Sequence, residues 1–167
     1  MPPPPATSSS AHGAGPSARV AALKLLAQRR LSEAQLHERL RRRGYADDEV
    51  TAAVASCVRD GLVDDRLFAT LYVEGRRAPV GDARLVAELV KRGIDPDAAR
   101  ERVGACSEDE GARIDAAYAR MRRTQPALSY QSAARKLERM GFPAALIYRT
   151  LRAHAANDLS EVLGDLL

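Results

Sequence analysis

Three stretches, LRRRGYADDEVTAAV (Leu40–Val54), LVKRGIDPDAARERV (Leu89–Val103) and LERMGFPAALIYRTL (Leu137–Leu151), align without gaps. Each has a Leu, three intervening residues, a Gly and an apolar residue: Leu40/Gly44/Tyr45, Leu89/Gly93/Ile94 and Leu137/Gly141/Phe142. The apolar pattern then resumes, with Val54, Val103 and Leu151 in matching places. The glycines lie 49 and 48 residues apart, a period that marks a supersecondary unit repeated three times. Gly44, Gly93 and Gly141 fall where a helix must stop in a left-handed conformation, and the apolar residue after each folds back on the last turn.

Working outward from these stretches, each unit reads as three short helices. In the first, Ala18–Gln28 opens the unit and Ser32 begins a capping box with Gln35, which leads a second helix whose apolar face is Leu36 and Leu40. A third helix starts at Asp47 and Asp48 and runs to about Asp60. The second unit repeats the order with Asp65–Glu74, Asp82–Arg92 and Asp95–Ala105, the last opened by an N-cap Asp followed by Pro. The third unit uses Ala112–Arg122, Ser129–Met140 and Pro143–His154. No alternating run rich in Val, Ile and Thr suggests a strand. The expected fold is all-α: three tandem, helix-turn-helix-like three-helix repeats over residues 18–60, 61–111 and 112–154, stacked into an elongated, curved array. Residues 1–17, rich in Pro, Ser and Gly and free of charge, read as a disordered tail, and 155–167 as a tail or capping helix.

Composition narrows the function. The 167 residues contain 46% hydrophobic and 4% aromatic residues with no Trp, which weighs against a nucleobase-stacking surface. There is no apolar run long enough for a membrane span and no secretory signal pattern, so a soluble cytoplasmic protein is expected. Cys57 and Cys106, each 13 residues after a repeat glycine, read as small buried hydrophobes. His12, His37 and His154 form no metal-ligand spacing or nucleophile–base arrangement. Asp64-Asp65 precedes a helix, where anionic caps belong. No glycine-rich phosphate loop is present. A non-enzymatic protein without metal or cofactor is expected.

The basic residues follow the repeat. Of 26 cationic residues only Lys24, Lys91 and Lys136 are Lys, and guanidinium groups fork onto carboxylates and phosphates as ammonium groups cannot. A G+C-rich genome would produce the same bias, so position has to decide. An Arg pair closes the first helix of every unit: Arg29-Arg30, Arg76-Arg77 and Arg122-Arg123. Cations also complement a helix C-terminus, so the pairs fit either a binding edge or simple dipole pairing. A second row, Arg42, Lys91 and Arg139, lies two residues before each glycine. Residues 112–154 carry 9 basic and 2 acidic residues, including Arg113, Arg120, Arg135, Lys136, Arg149 and Arg152. Such a positive body draws a polyanion or an acidic protein surface.

At this point the chain resembles a known family. GLVDDRLFATLYV (Gly61–Val73) carries D-D-x-x-F-A-x-x-Y at Asp64, Asp65, Phe68, Ala69 and Tyr72, and S-x-x-[QE]-L-x-x-[RK]-L stands at Ser32, Gln35, Leu36, Arg39 and Leu40. Both are similar to the RecX family, regulators of the bacterial RecA recombinase. The likeness covers about residues 18–155 and is tightest through the second unit. It implies binding to RecA nucleoprotein filaments and damping of filament growth, strand exchange, ATP hydrolysis and LexA cleavage, as part of the SOS response, DNA repair and homologous recombination. On this reading Leu36, Leu40, Phe68, Tyr72, Leu89 and Leu137 hold the units. The caps at Ser32, Asp64, Asp65 and Asp95 set helix starts, and the cationic rows bind. A monomer that binds the RecA filament, and single- or double-stranded DNA weakly, is expected. The alternative is a sequence-tolerant DNA-binding helical protein acting without RecA.

Overall fold

The computed structural model describes residues 16–76, 78–105 and 109–164, with side chains described as far as residue 156. Among the described residues there are nine helices and no strand. They are α1 (Ala18–Gln28), α2 (Glu33–Arg41), α3 (Asp47–Arg59), α4 (Asp65–Glu74), α5 (Asp82–Val90), α6 (Pro96–Gly104), α7 (Glu110–Thr124), α8 (Tyr130–Arg139) and α9 (Ala144–Gly164). They fall into the three triplets expected from the repeat.

Local chemistry sets the boundaries. Ser32 and Gln35 form the expected capping box: the Gln35 N–H donates to the Ser32 hydroxyl at 3.2 Å, and the Ser32 N–H to the Gln35 carboxamide at 3.4 Å. Asp64 accepts from the Leu67 N–H at 2.9 Å, and Asp95 accepts from the N–H groups of Asp97 and Ala98. Gly44, Gly93 and Gly141 have φ of 88°, 86° and 88°. Behind two of them, Ile94 and Phe142 donate their N–H to the carbonyls of Leu89 and Leu137 at 3.2 and 3.3 Å, satisfying ends that a helix leaves open.

The chain divides into two compact units, residues up to Leu31 with Leu36–Val63, and Ser32–Gln35 with Asp64 onward. In the first, α1 packs on α3, and Leu25, Leu31, Leu36, Leu40, Val50, Val54 and Cys57 form the core. Fully burying a Leu contributes about 1.5–3 kcal/mol, so these few side chains carry most of the unit's stability. Arg19 ties the two helices together by donating to the Ser56 hydroxyl at 2.5 Å and the Asp60 carboxylate at 2.6 Å. Burial pushes the Cys57 thiol above its ordinary value, which suits a small hydrophobe. Cys106 lies outside the described residues.

The second unit holds two cores. Ala69, Val73, Val80, Leu85, Leu89, Ile94, Ala99 and Val103 form one, and Ile114, Ala117, Ala133, Leu137, Phe142, Ile147 and Leu151 the other. Between them the start of α5 meets the turn after α8. The Gly81 N–H donates to the Met140 carbonyl at 2.9 Å, and the Asp82 N–H donates to Glu110 at 2.8 Å. Within the same unit the first turn of α2 is held in a similar way. The Glu33 N–H donates to Asp65 at 2.8 Å, and the Ser32 hydroxyl donates to the Arg92 carbonyl at 2.5 Å.

Several sequence expectations change here. Asp65 does not cap its own helix but the start of α2, and burial pushes its carboxyl up, with neighbouring Asp64 adding to the rise and the Glu33 N–H opposing it. Ser17, assigned to the tail, caps α1 by accepting from the Val20 N–H; residues 1–15 lie outside the described residues. The ninth helix, expected to end at His154, runs without a break to Gly164, because no Gly or Pro interrupts 144–163.

Candidate functional site

The cationic positions sort themselves by what surrounds them. Arg29 and Arg30 follow α1 and are exposed, as are Lys91, Arg123, Arg135, Arg139, Arg149 and Arg152. None of these eight has a hydrogen bond or ion pair from its side chain among the described residues. Arg42 is exposed too but pairs with Glu38 at 2.7 Å, one turn earlier on its helix. Lys136 donates to Gln125, and the half-buried Arg122 donates to the Pro126 carbonyl at 2.8 Å.

Arg76 departs from the expected binding edge. Its guanidinium forks onto Glu88, with one arm at 3.0 Å, and also donates to the Tyr72 hydroxyl at 2.9 Å. The Tyr72 hydroxyl in turn donates to Glu88 at 2.6 Å, Arg84 reaches the same carboxylate at 3.1 Å, and the Arg92 guanidinium lies 4.2 Å from the Tyr72 ring centre. Burial alone would raise the Glu88 carboxyl. The hydrogen bonds from Tyr72, Arg84 and Arg76, with the charge of Arg76, outweigh it and hold the group below its ordinary value. Tyr72 moves up, through burial and its bond to Glu88. This cluster braces α4 against α5, so Arg76 is structural; Arg77 lies outside the described residues.

Arg113 is a second correction. Counted with the positive body of the third triplet, it is only 6% exposed, donates to the Val80 carbonyl at 2.6 Å and pairs with Asp82. Its charge is spent inside the molecule, and its Nε has no partner among the described residues. The surface of the third triplet is basic without it. On α8, Ala133 and Leu137 are buried while Arg135 and Arg139, four apart, face outward together. On α9, Arg149 and Arg152 are exposed on either side of the buried Thr150 and Leu151. These four unpaired guanidinium groups can fork onto carboxylates or phosphates.

The structural residues of the motif stand as follows. Leu36, Leu40, Leu89 and Leu137 are fully buried, and Ala69 is buried. Phe68 and Tyr72 are half-buried against the second core, their rings stacked 6.4 Å apart. Two features escaped the sequence reading. Gly81 stands where the other triplets have Ser32 and Ser129, and the odd glycine in a row of serine caps was the available signal. Tyr130 and Tyr148, 43% and 49% exposed, stack 6.4 Å apart beside a cleft of about 200 Å³ lined also by Gln131, Ala134, Arg135, Glu138, Ala144 and Ile147. Nothing in their spacing links them, since they sit on different helices.

Among the described residues no group of three or more His, Cys, Asp and Glu side chains is placed to hold a metal ion, and no helix is long and apolar enough to cross a membrane. The arrangement is that of an all-helical tandem-repeat protein with exposed cationic side chains on α8 and α9. The family model for RecX, first three-helix domain, matches residues 18–57. The chain is 35% identical over 142 residues to Regulatory protein RecX of Thermobifida fusca, spanning 81% of this chain and 77% of that protein. It is 42% identical over 97 residues to Regulatory protein RecX of Mycobacterium avium, where the match spans 57% of this chain and about half, 55%, of that relative. The crystal structure of RecX from Lactobacillus salivarius superposes with a TM-score of 0.69 over 81% of this chain and 93% of that one, at 18% identity, a likeness of fold. The chain belongs to the RecX family of regulatory proteins.

Proposed function

We propose that the protein is a non-enzymatic regulator that binds RecA nucleoprotein filaments and restrains their extension, ATP hydrolysis, strand exchange and stimulation of LexA cleavage. The observation that carries this reading is the exposed, unpaired set Arg135, Arg139, Arg149 and Arg152 in a chain of this family. Guanidinium groups without internal partners have already lost nothing to the fold, so their full hydrogen-bonding capacity is open to an acidic surface. A filament repeats the same surface many times, so several modest contacts from tandem triplets add up to useful affinity.

The test is single-stranded-DNA-dependent ATP hydrolysis by the cognate RecA, titrated with this protein at two DNA concentrations. Inhibition well below RecA stoichiometry and unaffected by extra DNA is expected. Inhibition relieved by extra DNA would replace this reading with DNA binding independent of RecA, and no inhibition would end it. Changing Arg135, Arg139, Arg149 and Arg152 together to Glu should abolish the effect while leaving helicity intact.

A further inference from the structure

Helix α1 carries its apolar side chains in an inverted order. Its buried face is Ala18, Ala21, Ala22 and Leu25, so alanine dominates the side that meets the core. Val20 and Leu23 point the other way, 42% and 39% exposed, while Leu26 is half-buried. Alanines let α1 lie close to α3, but that contact gives no reason to place the bulkier side chains in water, where they forgo the burial that would stabilise the fold. The repeat does not require it either. On α7, the matching helix of the third triplet, the exposed positions include Asp115, Ala116, Ala119 and Arg120, and no large apolar residue.

The outward face of α1 is one wall of a cleft of about 430 Å³. Leu23, Leu26 and Ala27 line it from the helix, Arg30 from just beyond its end, and Leu62, 44% exposed, from the turn after α3. Among the described residues no carboxylate lines it. Residues 18–32 hold Arg19, Lys24, Arg29 and Arg30 and no Asp or Glu, and the Asp60 carboxylate that reaches α1 is already taken by Arg19. Lys24, Arg29 and Arg30 are exposed, with no hydrogen bond or ion pair from their side chains among the described residues. An aliphatic cleft flanked by unpaired cations fits an amphipathic helix that seats apolar side chains in it and sets carboxylates along its edges. Resting on the reading given under Proposed function, we infer that this cleft of the first triplet is a docking site for such an acidic amphipathic helix of the filament protein. A second copy of the same face is disfavoured by charge, because it would set Lys24, Arg29 and Arg30 against their equals with no acid on α1 to answer them. Nucleic acid would find no ring on which to stack a base and a single guanidinium in an otherwise aliphatic lining.

The test uses the full chain and RecA filaments assembled on poly(dT) with a non-hydrolysable ATP analogue, with binding read by co-sedimentation. Leu23→Gln with Leu62→Gln removes the apolar contact and leaves the charge alone, whereas Arg30→Glu reverses the charge and leaves the apolar lining alone. Each should weaken filament binding by about tenfold or more. Leu23→Met with Leu62→Met, and Arg30→Lys, should stay within about threefold, because the apolar volume and the charge persist. Circular dichroism should show the variants folded at the assay temperature, since all three side chains are exposed; if the glutamine pair is unstable, Arg30→Glu carries the test. Affinity for poly(dT) alone should not move. If the unaltered chain binds filaments and the folded glutamine and glutamate variants bind equally well, this docking site is wrong while the regulatory reading stands. A parallel loss of poly(dT) affinity would make the cleft a nucleic-acid surface and overturn the inference. So would a free chain that sediments as a dimer and dissociates on Leu23→Gln, which would make the face a self-contact. Failure of the unaltered chain to bind filaments would overturn both the docking site and the regulatory reading.

Discussion

Gly81→Ala adds one methyl group at the backbone approach between the start of α5 and the turn after α8. Gly81 has φ −73° and ψ 161°, which alanine adopts without strain, so the backbone conformation is not the obstacle. Space is. A Cβ built there lies 2.1 Å from the Gly141 carbonyl oxygen, 2.2 Å from its carbon and 2.5 Å from the Phe142 nitrogen. All three are backbone atoms that cannot swing aside, and ordinary contact at about 3.5 Å requires the two segments to part by more than about 1 Å. Overpacking of this kind costs about 1–3 kcal/mol. Parting also stretches the Gly81–Met140 hydrogen bond, a further loss of about 0.5–1.5 kcal/mol. Reduced freedom of the unfolded chain returns about 0.4–1 kcal/mol. The net destabilisation is about 2 kcal/mol, which for a chain of this size lowers Tm by about 4–8 °C. Gly104→Ala is the control, because nothing lies within 4 Å of a Cβ there and the residue closes α6; it should leave Tm unchanged or raise it slightly. Circular dichroism at 222 nm reads both. A Gly81→Ala protein that melts with or above the parent would refute the close approach and the junction built on it.

Arg113→Met should lower stability by about 2–3 kcal/mol in urea unfolding, because it strands the buried Val80 carbonyl and frees Asp82 from its partner; an unchanged midpoint would mean that Arg113 is solvated. Phe68→Ala should cost about 1–2 kcal/mol, since the ring is only half-buried, against about 3–4 for Leu36→Ala at a site with no exposure; equal losses by the same measurement would place the Phe68 ring in the core. Glu88→Gln should cost about 1–2 kcal/mol at pH 7. The folded carboxyl lies below its ordinary value of 4.5, so its contribution is present above that pH and disappears as pH falls through the folded value. The gap between variant and parent should therefore close on acidification toward pH 3, and a gap that stays constant in urea titrations across that range would contradict the ion cluster around Glu88.

Much of the fold was legible because the signals are local. Ser32, Asp64, Asp95 and Ser129 each cap the helix they precede, and Gly44, Gly93 and Gly141 each stop one, all within a few residues of sequence. What escaped depends on meetings between distant segments. Arg76 reads as the twin of Arg29 until α5 brings Glu88 to it, 12 residues away. Arg113 looks like any surface Arg on a basic helix until α7 lies across the start of α5. Tyr130 and Tyr148 become a pair only when α8 and α9 pack. Charge counted along the chain treats Arg113 and Arg135 alike, and only burial separates them.

The borrowed carboxylates at α2 and α5 give the molecule a direction. In each case the acid arrives from later in the chain, so a helix start made early in synthesis waits for a segment made afterwards. A nascent chain released at Ala105 would carry Asp65 for the first turn of α2 but lack Glu110 and Arg113, leaving the α5 start solvated and Val80 uncovered.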